Sequence, residues 1–380
     1  MIPYGKQFID SKDINSVVKA LKQSKITQGK IIDKFENDVK KFLKVKYAVA
    51  VSSASAGLHI AVKAIPHLKK SDTAITSPIS FVSTANAVLH SSLKLQFSDI
   101  DRSSLNLDID KLKIKVKKSH PKLVIPVHLS GVSFGEEELK RLSKKKKFFI
   151  IEDAAHSFGA KYNDGTLIGN CKYSDMTVFS FHPVKTITTG EGGVVTTNSR
   201  QLYNRLIELR NHGIKRGKSH FQYDVKSLSF NYRITDFQCA LGISQLKKIK
   251  KIISKRKQIS IFYDKKFKEV NNIFLPQTHL RKLSSNHLYI LNINFNKLKI
   301  SRKELIKKLL KKGIVTQIHY IPIPLHSYYK KKGYNMKNLV KANQYFQEAL
   351  SIPIFYTLNL KKQKSVSNII IKIINDNKKN

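Results

Sequence analysis

Residues 123–153 read LVIPVHLSGVSFGEEELKRLSKKKKFFIIED, and this stretch decides the fold class. A short apolar run lies at each end, over residues 123–127 and 148–151, and the polar segment between them is long enough for a crossover helix. Working outward, similar runs occupy residues 47–51, 73–76 and 93–97. Short apolar strands separated by helices predict an α/β protein whose large, mainly parallel sheet is covered by helices on both faces.

The last third of the chain has a different pattern. A long helical pattern rich in lysine covers residues 244–270, and polar turns and a strand-like run at 287–295 follow it. We therefore expect two domains with a boundary near residue 250. Residues 1–250 form the large domain with an N-terminal arm, and residues 251–380 form a smaller C-terminal α+β domain.

The net charge of +44 is the most unusual feature of the composition, since 70 Lys and Arg side chains face 26 Asp and Glu. Lysine supplies 60 of the basic residues and arginine only 10, and the lysines are spread along the chain. Nucleic-acid-binding proteins more often use arginine, whose planar group grips phosphates and guanine edges. The composition therefore predicts no specific nucleic-acid partner, while the charge suits a small anionic substrate.

The apolar and cysteine content excludes other classes of protein. No apolar run approaches the roughly 18 residues of a membrane helix. The first seven residues, MIPYGKQ, do not resemble a signal peptide. Cys171 and Cys239 are the only cysteines, and neither has a Cys or His partner at ligand spacing. These features predict a cytoplasmic protein with no disulfide scaffold, no metal site and no membrane partner.

Three segments follow predicted strands at the sheet edge where α/β proteins bind ligands. In residues 52–59, SSASAGLH, small and hydroxyl side chains leave backbone N–H groups free for a phosphate at a helix N-terminus, although an ordinary serine N-cap gives the same pattern. In residues 151–159, IEDAAHSFG, Asp153 ends an apolar run and His156 follows three residues later. If Asp153 is buried, its carboxylate needs a cation beside it. If Asp153 instead caps a helix in an exposed loop, it needs no such partner.

The third segment contains an isolated lysine. Residues 178–186 read VFSFHPVKT, so Lys185 lies in an apolar stretch, and the glycine-rich residues 189–197 follow it. Desolvation lowers the pKa of a lysine and frees its amine as a nucleophile able to form a Schiff base, although a surface lysine beside a turn is the simpler interpretation. Together the segments suit pyridoxal 5′-phosphate (PLP), with its phosphate on the loop, its ring nitrogen on Asp153 and its aldehyde on Lys185.

Several motifs in order resemble one family, the DegT/DnrJ/EryC1/StrS nucleotide-sugar aminotransferases, over essentially the whole chain. The motifs are EDAAH at 152–156, SFHPVK at 180–185, EGG at 191–193 and FNYRITD at 230–236. Within that family the chain resembles the 4-aminotransferases of the pseudaminic acid pathway. The segments that carry this second resemblance are IPYGKQ at 2–7, TQGK at 27–30, TSPISFV at 76–82 and IHYIPI at 318–323.

The resemblance implies a fold-type I PLP-dependent aminotransferase that forms a homodimer with shared active sites. Lys185 would hold the cofactor and move protons, and Asp153 would keep the pyridine nitrogen protonated. Phe81 or His156 would flank the ring. The implied phosphate-binding residues are Ala54, Ser55 and Ser180, with Asn231 contributed across the dimer, and the implied substrate-binding residues are Tyr4, Lys25, Ile26, Thr27, His319 and Tyr320.

The same resemblance implies the substrates. L-Glutamate would donate the amino group, with the pyridoxamine form (PMP) as intermediate, and a UDP-linked 4-keto-6-deoxy-N-acetylhexosamine would accept it at C4. A sugar of the legionaminic acid, bacillosamine or perosamine type is an alternative acceptor. Sugar 3-dehydratases of the family carry His in place of the lysine, so Lys185 argues against them. A basic nucleic-acid-binding protein remains the alternative from another class.

The chain departs from the family pattern in its phosphate loop. Residues 55–58 read SAGL, where relatives more often read Thr-Ser/Ala-Ala-Leu. Ser55 keeps the hydroxyl group, so we expect function to survive. Glycine is a poor helix former, so we expect Gly57 to loosen the start of the following helix.

Overall fold

A seven-stranded sheet forms the centre of the structure, a computed structural model that describes residues 1–133, 135–217, 219 and 221–379. Its strands are β1 (Tyr47–Val51), β2 (Thr73–Thr76), β3 (Lys94–Phe97), β4 (Leu123–Ile125), β5 (Phe149–Asp153), β6 (Met176–Ser180) and β7 (Gly193–Thr197). The spatial order is β1-β7-β6-β5-β4-β2-β3. Strand β7 is antiparallel to both of its neighbours, β1 and β6, and every other pair of neighbouring strands in this sheet is parallel, so the predicted α/β class with a mainly parallel sheet is confirmed.

Helices connect the strands and cover the sheet. The helices of this part are α1 (Ser11–Leu21), α2 (Lys30–Leu43), α3 (Ala54–Ala64), α4 (Ser83–His90), α5 (Ile109–Ser119), α6 (Glu136–Lys146), α7 (Arg200–Arg210) and α8 (Asp236–Leu246). A short antiparallel hairpin of β8 (Ile214–Arg216) and β9 (Tyr223–Val225) lies between α7 and α8. No helix within the described ranges has the length and apolar character needed to cross a membrane.

Gly57 lets α3 lie close to the sheet. A Cβ atom on this residue would be 2.9 Å from Val178 Cγ1 and 3.1 Å from Val195 Cγ2, two side chains of β6 and β7. The helix nevertheless begins regularly, because the Ser53 side chain caps it by accepting a hydrogen bond from the Ala56 backbone N–H at 3.1 Å. The glycine therefore serves helix-to-sheet packing and brings the start of α3 against the sheet edge.

The C-terminal part has its own sheet and core. Helix α9 (Ile249–Phe267) leads into three antiparallel strands, β10 (Ile273–Phe274), β11 (Tyr289–Ile293) and β12 (Ala349–Ile352), in the order β10-β11-β12. The remaining helices are α10 (Arg302–Lys311), α11 (Ser327–Lys331), α12 (Val340–Glu348) and α13 (Leu360–Asn375).

Helix α9 contributes side chains to two hydrophobic cores. Ile249 and Ile252 belong to a core formed with the large sheet, and Ile259, Tyr263 and Phe267 belong to the core of the small sheet. The same helix is therefore common to both parts of the chain. The domain boundary near residue 250, close to the start of α9, stays a prediction.

Candidate active site

A cavity of about 650 Å³ lies at the carboxyl ends of the central parallel strands. It brings together most of the residues that the sequence analysis assigned to cofactor and substrate. Those that line it are Tyr4, Ala54, Ser55, Phe81, Asp153, His156, Ser180, Lys185, His319 and Tyr320. A larger cavity of about 800 Å³ between α2, α7 and β8 contains none of these residues. The candidate active site is therefore the smaller cavity.

Asp153 is the last residue of β5 and is buried at the base of this cavity. The Thr84 hydroxyl on α4 donates a hydrogen bond to Asp153 Oδ2 at 2.5 Å, and the Ala155 backbone N–H donates to Oδ1 at 3.2 Å. Ser80 Oγ lies 2.7 Å from Thr84 Oγ1 and fixes that hydroxyl in turn. The carboxylate therefore has a defined orientation and can hold a cationic group in the cavity.

Lys185 follows β6 in a tight turn, in which its backbone N–H donates to the His182 carbonyl at 2.9 Å. Within the described part of the chain, no residue forms a hydrogen bond or an ion pair with its amine. Burial lowers the pKa of Lys185 to about 8; the nearby Asp153 carboxylate opposes this shift, and the Arg256 guanidinium adds to it. An uncharged, nucleophilic amine is consequently accessible close to neutral pH.

The start of α3 forms an anion-binding region beside these two residues. The backbone N–H groups of Ala54 and Ser55 have no acceptor within the described residues, as is usual for the first turn of a helix. Ser55 Oγ lies 2.6 Å from Ser83 Oγ, and Ser180 ends β6 at the same cavity. A Cβ at Gly193 would be 2.8 Å from Ala54 N, so this glycine allows the loop to lie against β7. The region is suited to a phosphate.

His156 connects the cavity wall to Tyr320. The Ser130 backbone N–H donates to His156 Nδ1 at 3.2 Å, and His156 Nε2 lies 3.0 Å from the Tyr320 hydroxyl oxygen. Burial, with the positive charge of Lys185 as a smaller cause, holds the pKa of His156 well below its usual range. The neutral ring therefore carries its proton on Nε2 and donates it to Tyr320, which leaves the phenol hydrogen of Tyr320 free for a ligand.

Other aromatic side chains complete the walls. The Phe81 ring, which is largely exposed, lies 6.1 Å from the Tyr320 ring, and the Tyr4 ring lies 5.3 Å from the His319 ring. His319 Nδ1 is 2.9 Å from Ser351 Oγ, and burial lowers the pKa of His319 to about 3. The imidazole is therefore neutral at physiological pH, and this wall has no charge from histidine.

Four predicted site residues lie outside the cavity. Lys25, Ile26 and Thr27 are exposed, and the structure places them beside the segment that contains Asn231. Thr27 pairs with Thr235, the Asp236 backbone N–H donates to the Ile26 carbonyl at 2.9 Å, and Asn231 itself is exposed. Within one chain, these residues are therefore near one another and not among the residues that line the site.

The structure also reveals site residues that the sequence analysis missed. Thr84 orients Asp153, and His287 lines the cavity with its ring 4.4 Å from that of His156. Arg256 lies behind the wall, where it donates to the His287 carbonyl at 3.0 Å. The three residues come from α4, the segment before β11, and α9, and no local sequence signal joins those segments.

The fold and this cavity fit the class of aminotransferases, and the family match shows that class. Residues 7–371 match the DegT/DnrJ/EryC1/StrS aminotransferase family, and the chain belongs to that family.

Relatives of known name cover the entire chain. It is 37% identical over 381 residues to the UDP-4-amino-4,6-dideoxy-N-acetyl-beta-L-altrosamine transaminase of Campylobacter jejuni subsp. jejuni serotype O:23/36, covering 100% of this chain and 99% of that protein. Among solved structures, it is similar to Helicobacter pylori PseC, described as an aminotransferase involved in the biosynthesis of pseudoaminic acid, with a TM-score of 0.92, 31% identity and 99% coverage of each chain. The PLP form of the putative sugar aminotransferase Spr1654 from Streptococcus pneumoniae gives a TM-score of 0.90 at 26% identity, with 99% coverage of each chain.

Proposed function

We propose that this chain transfers the amino group of L-glutamate to C4 of a UDP-linked 4-keto-6-deoxy-N-acetylhexosamine. The product would be UDP-4-amino-4,6-dideoxy-N-acetyl-β-L-altrosamine, an intermediate of pseudaminic acid biosynthesis in the cytoplasm. The observation that carries the substrate assignment is the 37% identity, over the whole chain, to the Campylobacter jejuni transaminase of that name. The cavity around Lys185 and Asp153 supports the chemistry, because it combines an amine whose pKa is lowered to about 8 with an oriented carboxylate.

The donor groups in the cavity fit PLP. Asp153 would hold the protonated ring nitrogen, and the free N–H groups of Ala54 and Ser55 with the hydroxyls of Ser55 and Ser180 would hold the phosphate. His156 and Phe81, which both line the cavity, would flank the ring. When bound, PLP would supply an electron-accepting ring and an aldehyde carbon that can accept and release an amino group.

Lys185 would act as the proton-transfer group of the reaction. In its uncharged form, Nζ would remove the proton from the α-carbon of the amino donor in the first half-reaction. The same amine would return a proton to C4 of the sugar in the second half-reaction. This role needs an amine with a pKa near the working pH, which the burial of Lys185 provides.

The remaining cavity residues would bind the sugar nucleotide. Tyr4, His319 and Tyr320 form one wall, and Tyr320 can offer its phenol hydrogen to a sugar oxygen because His156 already donates to its oxygen atom. The positive charge of the chain would attract the diphosphate over long range. Lys25, Ile26 and Thr27 would join this site from a second subunit.

A homodimer would bring those residues and Asn231 to the cavity of the other chain. Several large apolar side chains support it, because they are exposed near these residues. On α1 the exposed residues Ile14, Val18 and Leu21 follow helical spacing. Leu228, 79% exposed, and Phe230, 58% exposed, lie next to Asn231. Exposed apolar side chains grouped in this way are typical of protein interfaces, and a second copy of the chain would cover them.

The proposed activity can be tested by product analysis. Purified protein with PLP and L-glutamate would be given a panel of nucleotide-linked 4-keto sugars that includes the epimers, and products would be identified by mass spectrometry and NMR. We expect the highest kcat/KM for the altrosamine precursor and loss of turnover in Lys185→Ala. A higher kcat/KM for a legionaminic acid, bacillosamine or perosamine precursor would contradict the substrate, and full turnover by Lys185→Ala would contradict the mechanism.

A further inference from the structure

Arg256 is a buried charge without a carboxylate partner. The residue lies on α9 and is 2% exposed. Its guanidinium is surrounded by backbone carbonyls, since Nη1 donates to His287 O at 3.0 Å and to Ile354 O at 3.1 Å, and Nη2 makes a long contact of 3.5 Å with Val184 O. Within the described residues, no acid forms an ion pair with it, and Nε has no acceptor. Burying such a charge is costly, so a purely structural position would favour an uncharged side chain.

Two of these three carbonyls belong to the walls of the active site. Val184 lines the cavity and directly precedes Lys185, and His287 lines the cavity behind His156. The third carbonyl, from Ile354, follows β12 in the small sheet. Arg256 therefore connects the backbone next to Lys185 with two segments of the C-terminal part.

The charges that act on the Lys185 amine come from several elements. Asp153 on β5 favours the charged amine, and Arg256 on α9 disfavours it. The imidazoles of His156 and His287 also face this region, as does that of His319, and burial lowers the pKa of each of them, so they are neutral at physiological pH. Burial lowers the pKa of Arg256 only to about 10. Of the basic side chains just named around Lys185, Arg256 is therefore the one that stays positively charged at neutral pH. Its charge opposes protonation of the Lys185 amine.

We propose that Arg256 is a positioning residue of the aminotransferase site. It fixes the backbone at Val184 and so the direction of the Lys185 side chain, and its unbalanced charge repels a second positive charge on the Lys185 amine. This inference rests on the proposed role of Lys185, but it does not depend on which sugar is the substrate.

Two variants separate the charge of Arg256 from its hydrogen bonds. Arg256→Gln keeps N–H donors and removes the charge, whereas Arg256→Lys keeps the charge and removes the planar group that reaches several carbonyls. Arg281→Gln is the matched control, because Arg281 is also buried but pairs with Asp264, and it does not line the cavity.

The test measures the reactivity of Lys185 directly. The full-length chain, freed of cofactor with hydroxylamine, is labelled with a trace of acetic anhydride across a pH series, and the peptide containing Lys185 is quantified by mass spectrometry. In the protein without substitutions, we expect the labelling of Lys185 to reach half of its maximum at about pH 8, which is the midpoint of the pH series. Arg256→Gln should raise the midpoint by about one pH unit, and Arg256→Lys and Arg281→Gln should leave it unchanged.

The hydrogen-bonding role has a second readout in the holoenzyme. Arg256→Lys should lower kcat about tenfold while KM for both substrates changes little, because the amine is misplaced but the substrate walls remain. A folded Arg256→Gln with an unchanged midpoint would overturn the proposal. So would failure of both Arg256 variants to fold, since the residue would then be structural only. If Lys185 is labelled with the expected midpoints but the protein turns over no keto sugar, the proposed function would be contradicted instead.

Discussion

Asp153 depends for its orientation on a hydroxyl group from another helix. Thr84 donates to Asp153 Oδ2 at 2.5 Å, and both side chains are buried. A carboxylate that must hold a ring nitrogen needs its second oxygen fixed in this way, because a free carboxylate would rotate about its last bond. At the scale of single residues, the site therefore extends beyond the groups that would touch the cofactor.

The Thr84 hydroxyl should be needed for full activity. Thr84→Val keeps the shape of the side chain but removes the donor, so we expect kcat to fall about tenfold, without a large loss of thermal stability, because Asp153 is less well oriented. Thr84→Ser, which keeps the hydroxyl, is the control and should retain most of the activity. Equal kcat values for the two variants, measured in the same steady-state assay, would show that the hydrogen bond is unimportant.

Tyr320 should contribute to sugar binding through its phenol hydrogen. Tyr320→Phe removes this donor, so we expect kcat/KM for the keto sugar to fall by about tenfold or more, while the affinity for PLP is unchanged. Steady-state kinetics and cofactor titration measure the two effects. Tyr328→Phe, at an exposed tyrosine outside the cavity lining, is the control. A Tyr320→Phe variant that loses PLP and keeps its sugar KM would contradict this assignment.

Lys185 and Asp153 could be predicted as candidate site residues because Asp153 ends one apolar run and Lys185 lies in the turn after another, where parallel sheets place ligands. Thr84 and Arg256 could not. The Thr84–Asp153 hydrogen bond joins positions that are 69 residues apart, and threonine or arginine on a helix carries no sign of its partner. Such contacts depend on how α4 and α9 pack, which only the assembled fold determines.

At the scale of elements, the apolar runs predicted β1 to β5 at nearly their observed bounds. The direction of β7 could not be predicted, since a fully buried strand has the same apolar pattern whether it runs parallel or antiparallel. The expectation for Gly57 considered helix propensity alone. The packing of α3 against β6 and β7 gives this residue a role that the sequence pattern does not show.

The close packing that Gly57 allows between α3 and the sheet should stabilise the fold by more than the poor helix propensity of glycine destabilises the helix. In Gly57→Ala the new methyl group would meet Val178 Cγ1 at 2.9 Å, so we expect a net loss of stability of about 1–2 kcal/mol despite the better helix former. Urea unfolding measures the loss. In a Val178→Ala background the same substitution should cost less, because the clash is relieved. A stabilised Gly57→Ala protein would show that the sheet adjusts freely.

At the scale of the whole molecule, Lys25, Ile26, Thr27 and Asn231 are not among the residues that line the cavity of their own chain. If a second subunit supplies these residues to the site, two inactive variants should regain activity when they are combined in one dimer. A mixture of Lys185→Ala and Asn231→Ala subunits, co-expressed with different tags, contains hybrid dimers with one intact site. We expect about a quarter of the normal activity in the mixture. Activity no higher than the average of the separate variants would contradict shared sites.

Acid should destabilise the fold through its buried histidines. Burial lowers the pKa of His319 to about 3 and that of His59 to about 4, and it holds those of His156 and His287 well below the ordinary value of about 6.5. Below pH 6.5 the unfolded chain binds protons that the folded chain does not. The free energy of unfolding should therefore fall as the pH decreases from 6.5 towards 4, and chemical denaturation at several pH values measures it. A flat profile would contradict the neutral, buried state of these rings.

The position of Arg256 along α9 gives the helix a further significance. The residue lies between Ile252, in the core of the large sheet, and Ile259, in the core of the small one. If α9 unfolds from its C-terminal end, the Arg256 guanidinium would lose its hydrogen bonds before the large sheet unfolds. Heat damage that starts in the small sheet would thus disable the proton transfer proposed for Lys185 early, so loss of activity should precede global denaturation.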